Sequence, residues 1–322
     1  MSKTESPTIT SQVIQPPDDE IDLRELVRAI WQGKWLILCI TAIFAISSVY
    51  YAVAIPDEYQ STAILAPAST SSASSLSKLA GQFGGLASLA GVSLGGTGGG
   101  DKTVIAIELM KTWGFLESFI KSNQLEVEVF AVKGWNKRSN KLLIDETLYD
   151  EKIATWVRDV VPPRQNGSSS PTSWELFVAI KGRININQNS ETGLIFLSVE
   201  HYSPYIAKKW VELLTMAINK HMRLQDRIEA LNSIVYLKGQ ISKTNISEMR
   251  SIFYQLIEEQ TKTLMLAEIS DEYVFKTLSS AKVAEIKSKP KRALIVIFFT
   301  MLGGMLSMVI VLIHHFKKNR VK

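Results

Sequence analysis

The stretch of this 322-residue chain nearest to a reactive motif is Gly96–Thr103, GTGGGDKT. Glycines followed by Lys and Thr would cradle phosphate oxygens with backbone N–H groups. Asp101, however, replaces the last glycine such a loop needs, its charge repels a phosphate, and no strand is expected before it. The histidines are His201, His221, His314 and His315, and none stands at metal-ligand spacing with Cys, Asp or Glu. Glu258 and Glu259 are adjacent, so on a helix they point to different sides, whereas glycoside hydrolysis needs two facing carboxylates. Nothing resembles a nucleophile elbow. The single cysteine, Cys39, lies in an apolar run, which leaves the rest of the chain without a disulfide, a thiol nucleophile or a Cys-based zinc site. The expectation is a protein that is not an enzyme and holds no cofactor and no metal.

The elements that organise the chain are two uncharged apolar runs, Trp35–Ile55 and Ala293–Ile313. Each matches the ~20 apolar residues that cross a hydrocarbon core of ~30 Å. Arg24, Arg28 and Lys34 precede the first run, while Asp57 and Glu58 follow it with no Lys or Arg before Lys78. That bias places the N-terminus in the cytoplasm. The second run then returns the chain, and Lys317, Lys318, Arg320 and Lys322 agree; Lys287, Lys289, Lys291 and Arg292 on its other side do not. The layout read is a cytoplasmic segment 1–34, a span 35–55, an extracytoplasmic domain 56–292, a span 293–313 and a cytoplasmic tail 314–322. The net charge of +5 gathers at the span ends, where lipid headgroups account for it better than nucleic acid does. In the second span, Thr300 with Gly304 and Gly303 with Ser307 form small-xxx-small pairs suited to close helix packing.

Between the spans the pattern is mixed. Asp22–Lys34 suits an amphipathic helix on the membrane surface, with Ile21, Leu26, Ile30 and Trp31 on its apolar side. Glu58–Leu65 suits a strand. Gly81–Gly100 holds nine of the 18 glycines, interleaved with Leu86, Leu89, Val92 and Leu94, too apolar for a plain linker. Asp101–Asn123 reads as one or two helices broken near Gly114, Glu126–Val132 as a strand, and Asp145–Val160 as a helix stopped by Pro162 and Pro163. Trp174–Asn187, Gly193–His201 and Glu272–Leu278 read as strands, and the chain returns to the membrane through Pro290.

The most informative segment begins at Ser203 and Pro204, an N-cap followed by proline at the first helical position. Trp210, Leu214, Ala217, His221, Leu224, Ile228, Leu231 and Val235 follow at alternating spacings of 4 and 3, a heptad seam. One helix over about 203–268 would run roughly 100 Å at 1.5 Å per residue. A domain of this size cannot bury such a rod, so either the chain turns back near Gly239 or the seam packs against copies of itself.

Four segments together resemble the Wzz-type chain length determinants, or polysaccharide co-polymerases. They are Asp19–Ile37, DEIDLRELVRAIWQGKWLI; Gly85–Gly96, GLASLAGVSLGG; Phe253–Arg292, FYQLIEEQTKTLMLAEISDEYVFKTLSSAKVAEIKSKPKR; and the glycine-containing second span. Where that family often spaces several prolines before its second span, Pro290 stands alone. The resemblance is to the short class without a fused kinase. It implies an α+β extracytoplasmic domain with a long protruding helix, flanked by two transmembrane helices and assembled into a ring of copies. It also implies a regulator of the modal length of a surface polysaccharide, such as the O-antigen of lipopolysaccharide. Such a regulator acts as a scaffold in the inner membrane beside a membrane polymerase, with lipid-linked glycan and membrane lipid as further partners. A second reading is a co-regulator of a separate tyrosine kinase in capsule or exopolysaccharide export.

Overall fold

The computed structural model describes residues 31–68, 99–159 and 169–319. The amphipathic helix expected from Asp22 lies, up to Ile30, outside the described residues, as does nearly all of the glycine-rich segment. The chain divides into two units, one formed by the stretches up to Ile55 and from Lys291, the other by Pro56–Pro290.

The first unit is a pair of helices, α1 (Lys34–Ala54) and α8 (Arg292–Asn319), packed on each other. Both are long and apolar enough to cross a membrane, and most of their surface is uncovered by protein. A core helix of a soluble protein would be covered. The Arg292 guanidinium donates to the Ala52 carbonyl at 3.0 Å, tying the end of one helix to the start of the other.

The second unit carries an antiparallel four-stranded sheet in the order β6-β7-β1-β8, from β1 (Tyr59–Pro67), β6 (Ile184–Gln188), β7 (Ile195–His201) and β8 (Phe275–Ser279). Alternation sets the faces: Ser61, Ala63 and Leu65 of β1 and Ile195, Leu197 and Val199 of β7 are buried. Tyr59 pairs with His201 and Leu65 with Ile195, which fixes the register. All the buried residues of α6 (Pro204–Ile241) except Ala230 lie in its first half, where Trp210, Val211, Leu214 and Ile218 are fully enclosed in one core with the sheet residues. The core also takes Met110, which follows α2 (Gly99–Leu109), and residues of α3 (Trp113–Ser122), α4 (Glu126–Phe130) and α5 (Ser173–Lys181). Two small hairpins complete the unit, β2 (Val132–Asn136) with β3 (Lys141–Ile144), and β4 (Tyr149–Asp150) with β5 (Thr155–Trp156).

Several local expectations are corrected. The break in the first helical stretch falls at residues 110–112, where Thr112 caps α3, and Gly114 sits inside the helix. Glu126–Phe130 is helical, because Leu125 and Val129, four apart, both point into the core. No helix spans Asp145–Asp159: the Asp145 carboxylate accepts from the Thr147 N–H and Asp150 from the Lys152 N–H, local bonds that compete with a helix ladder. Trp174–Asn187 is helix, then strand. A Thr172–Glu175 capping box starts α5, and Leu176, Phe177 and Ile180 form its inward face.

The single helix expected over 203–268 is two. α6 ends at Ile241, and α7 (Ser247–Ile269) runs back along it, with Arg223 bonded to Asp271 at 2.8 Å and Arg227 at 4.0 Å from Glu268. Gly239 remains helical. The turn lies just beyond, at 242–246, where the Ser242 hydroxyl donates to the Gly239 carbonyl and the Arg250 guanidinium to the Thr244 carbonyl.

Asn219 joins this hairpin to the sheet. Its carbonyl oxygen accepts from the Val274 and Phe275 N–H groups at 2.8 and 2.9 Å, and its amide donates to the Phe275 carbonyl at 3.0 Å. All three backbone groups would be stranded in the core of the Asn219→Ala variant. Each buried unmet group costs about 1–3 kcal/mol, so the loss should be about 3 kcal/mol or more. The check is thermal unfolding of the detergent-solubilised protein, expected to shift down by several degrees.

Candidate functional site

The residues that might have done chemistry are engaged in packing. Lys102, from the phosphate-loop-like stretch, lies on α2 with its ammonium 2.6 Å from Asp226, and the Tyr273 hydroxyl donates to the same carboxylate oxygen at 2.6 Å. Burial, then the Asp226 bond, pushes the Tyr273 phenol well above its ordinary value. Thr103 is buried. This triad pins α2 to α6 and leaves neither side chain offered to a phosphate. His221 is exposed, edge-on to Phe115, and His314 ends the second apolar helix. Among the described residues no three His, Cys, Asp or Glu gather where a metal would sit.

His201 is enclosed at the end of β7, its ring 5.1 Å from Trp210. Its Nδ1 accepts from the Ser203 N–H at 3.0 Å, and Nε2 lies 3.3 Å from the Glu128 carbonyl, geometry that places the proton on Nε2. Burial first, and the Arg183 guanidinium second, depress its pKa to about 3. Ser203 therefore starts α6 without a side-chain cap, its N–H turned onto the imidazole. Next to it, Glu128 accepts from the Trp210 indole at 2.9 Å and from Lys209 at 3.0 Å.

The seam residues divide. Trp210 and Leu214 are fully buried and Ala217 partly so, all in the base. Leu224, Ile228, Leu231 and Val235 stand on the part of α6 beyond the base and are exposed, Ile228 by 59% and Val235 by 71%. The buried residue on that stretch of α6 is Ala230, off the predicted seam, and α7 buries Ala267 in turn. The upper half of α6 therefore has two apolar faces, one against α7 and one open.

On α8, a Cβ built on Gly303 would sit 2.6 Å from Phe44 Cβ, so the two helices meet where only glycine fits. Gly304 looks towards the Thr41 hydroxyl, and Ser307 is completely buried. The hydroxyls of Thr300 and Ser307 donate to the carbonyls of Val296 and Gly304, so neither needs a partner across the helix pair. Pro290 closes the second unit just after Lys289, whose backbone bridges to Glu58. Two of the basic residues that spoiled the charge asymmetry are paired: Lys287 bonds Asp57 at 3.0 Å, and Lys289 bonds Glu200 at 2.5 Å.

Sequence reasoning missed one surface. Trp113 and Trp174 stand edge-to-face with ring centres 5.1 Å apart, and Phe177 backs both. The tryptophans begin two different helices 61 positions apart, so no spacing rule links them. The Thr112 and Thr172 caps were the readable signals.

Residues 19–123 match the Wzz family, described as chain length determinant protein. The resemblance read from the sequence is thus supported independently, over about a third of the chain. A search of curated proteins finds no match. Among solved structures, a full-length bacterial polysaccharide co-polymerase is similar at 14% identity with a TM-score of 0.39, over 92% of this chain and 99% of that one. A fragment of WzzB, a polysaccharide co-polymerase from Salmonella Typhimurium, is similar at 10% identity with a TM-score of 0.27, over 73% of this chain and all of that one.

Two outcomes follow from the geometry. Since the folded state holds His201 neutral to about pH 3 while an ordinary histidine binds its proton near 6.5, the unfolded chain takes up one more proton between those values. Stability is therefore full above pH 6.5 and falls with acid by up to about 1.4 kcal/mol per unit. Melting curves from pH 7 to 5 should show this slope, and His201→Gln should flatten it. In the membrane pair, Gly303→Ala should lower the melting temperature in detergent, and adding Phe44→Ala should recover much of the loss.

Proposed function

We propose that this protein sets the modal length of a surface polysaccharide of the O-antigen type, acting as a non-enzymatic oligomeric scaffold beside a membrane polymerase. The observation that carries the reading is the match of residues 19–123 to chain length determinants. The chain would cross the inner membrane twice with both termini cytoplasmic. The pairing of Lys287 with Asp57 and of Lys289 with Glu200 supports this orientation, because it neutralises two of the four basic residues on the outer side of the second span.

The open face of Leu224, Ile228, Leu231 and Val235 supports self-assembly. Apolar side chains in a row along one helix gain by meeting a different apolar face of a neighbouring copy, and such a heterologous contact, repeated, forms a ring when the rotation between copies closes. The hairpin would then stand as the protruding helical element of each copy. The small-residue contacts of Gly303 and Gly304 would hold the two spans as one unit against which the polymerase packs.

Deleting the gene and separating the cell-surface polysaccharide on a gel tests this. The expected result is loss of the modal cluster of bands, with chains distributed broadly, and restoration by a plasmid copy. An unchanged ladder would refute the role.

A further inference from the structure

The patch around Trp113 and Trp174 has no part in the fold that explains its exposure. Trp113 is 44% exposed and Trp174 54%. Large aromatic rings are normally buried, and each carries 150–250 Å² of apolar surface, so roughly 200 Å² of indole is left in water here.

The rings are also fixed. Trp113 opens α3 behind the Thr112 cap, and Trp174 is the second residue of α5 behind the Thr172–Glu175 capping box. The Trp113 indole N–H donates to the Ser173 hydroxyl at 2.6 Å, and Phe177 lies nearly parallel to Trp113 at 6.1 Å. A rim of polar groups surrounds them. Glu117 is bonded to Lys121 at 2.6 Å, and that bond, helped by Ser173, holds its carboxyl below the usual range, so it stays an acceptor. Lys181 rests its ammonium over the Phe177 ring.

We infer that this surface is a glycan-binding platform, taking pyranose rings of the polysaccharide against the faces of Trp113 and Trp174, with Glu117, Lys181 and Ser173 at hand for their hydroxyls. The inference rests on the polysaccharide reading above. A pyranose has an apolar face of C–H groups and a perimeter of hydroxyls, which is the complement of a flat ring with a charged, hydrogen-bonding rim. A second copy of the chain fits less well. A stable protein contact needs ~800 Å² on each side, several times the indole surface available, and Val178, one turn beyond Trp174, adds only a single aliphatic side chain. One platform of this size binds weakly. Copies gathered in one assembly would hold a growing chain at several points at once, and affinity would rise with its length.

The test uses the full-length protein in detergent and the surface polysaccharide of the producing cells, released from its lipid by mild acid. Saturation-transfer NMR should show transfer to sugar ring protons, and indole fluorescence should change with saturation. Trp174→Leu, and Trp113→Leu with Trp174→Leu, should weaken binding by about tenfold or more with melting temperature and oligomer size unchanged. Trp174→Tyr keeps an aromatic face and should retain most of the binding. Absence of transfer from the wild-type protein to the sugar, or equal binding by the double variant, overturns the platform. So does a double variant whose oligomer falls apart while glycan binding persists, which would make the patch a contact between copies. An altered ladder in the deletion strain together with no transfer sinks the platform alone; an unaltered ladder sinks the regulatory reading whatever the NMR shows.

Discussion

Two helices whose side chains cannot be left in water constrain everything else in this chain. Lys34–Ala54 and Arg292–His314 are apolar around their whole circumference, and the protein itself covers little of either. In hydrocarbon every backbone group must find its partner within the segment, which a helix provides. A domain inserted between two such helices has to begin and end close together. The unit Pro56–Pro290 meets this condition internally: the Glu58 N–H donates to the Lys289 carbonyl at 2.9 Å, and the Glu58 carbonyl accepts from the Ser288 N–H at 2.8 Å. From that closure β1 runs directly into the sheet between β7 and β8, so the first and last strands of the unit are neighbours.

The sheet then determines what is left over. The first half of α6 is consumed by the core, and Asn219 bonds the backbone at the start of β8, on Val274 and Phe275, at three points. Beyond the base, among the described residues, α7 is the element α6 packs against, and one neighbour covers one face. The exposed row from Leu224 to Val235 is therefore a consequence of a helix longer than the domain that carries it. The exposed row on α6 and the aromatic patch on α3 and α5 are built from different elements, so the assembly and glycan roles proposed for them need not compete.

How much of this was legible depended on whether a signal was local. The two long apolar helices were readable because about 20 uncharged residues have few other fates. β1, β7 and the start of α6 at Pro204 were readable from alternation and from the Ser-Pro pair. Glu126–Phe130 was misread because, over five residues, alternation and an i, i+4 pair look alike. The heptad over 210–235 was real as a helix signal, but it did not say which half would be buried. That was decided by the sheet, whose strands come from positions 59–67, 184–201 and 275–279. The Trp113–Trp174 surface and the His201–Glu128–Trp210 cluster were invisible for the same reason: each joins residues far apart in the chain.

The most direct measurement of the central claim is the sidedness of the chain in intact cells. With Cys39 replaced by Ala, one cysteine is placed at Glu191, in the exposed turn between β6 and β7, and in a second variant at Lys317, in the last turn of α8 beyond its apolar stretch. A membrane-impermeant maleimide should label the first in cells whose outer barrier is opened and leave the second unlabelled until the inner membrane is broken. Labelling of both under the first condition, or recovery of the intact protein from a surfactant-free soluble fraction, would contradict the account.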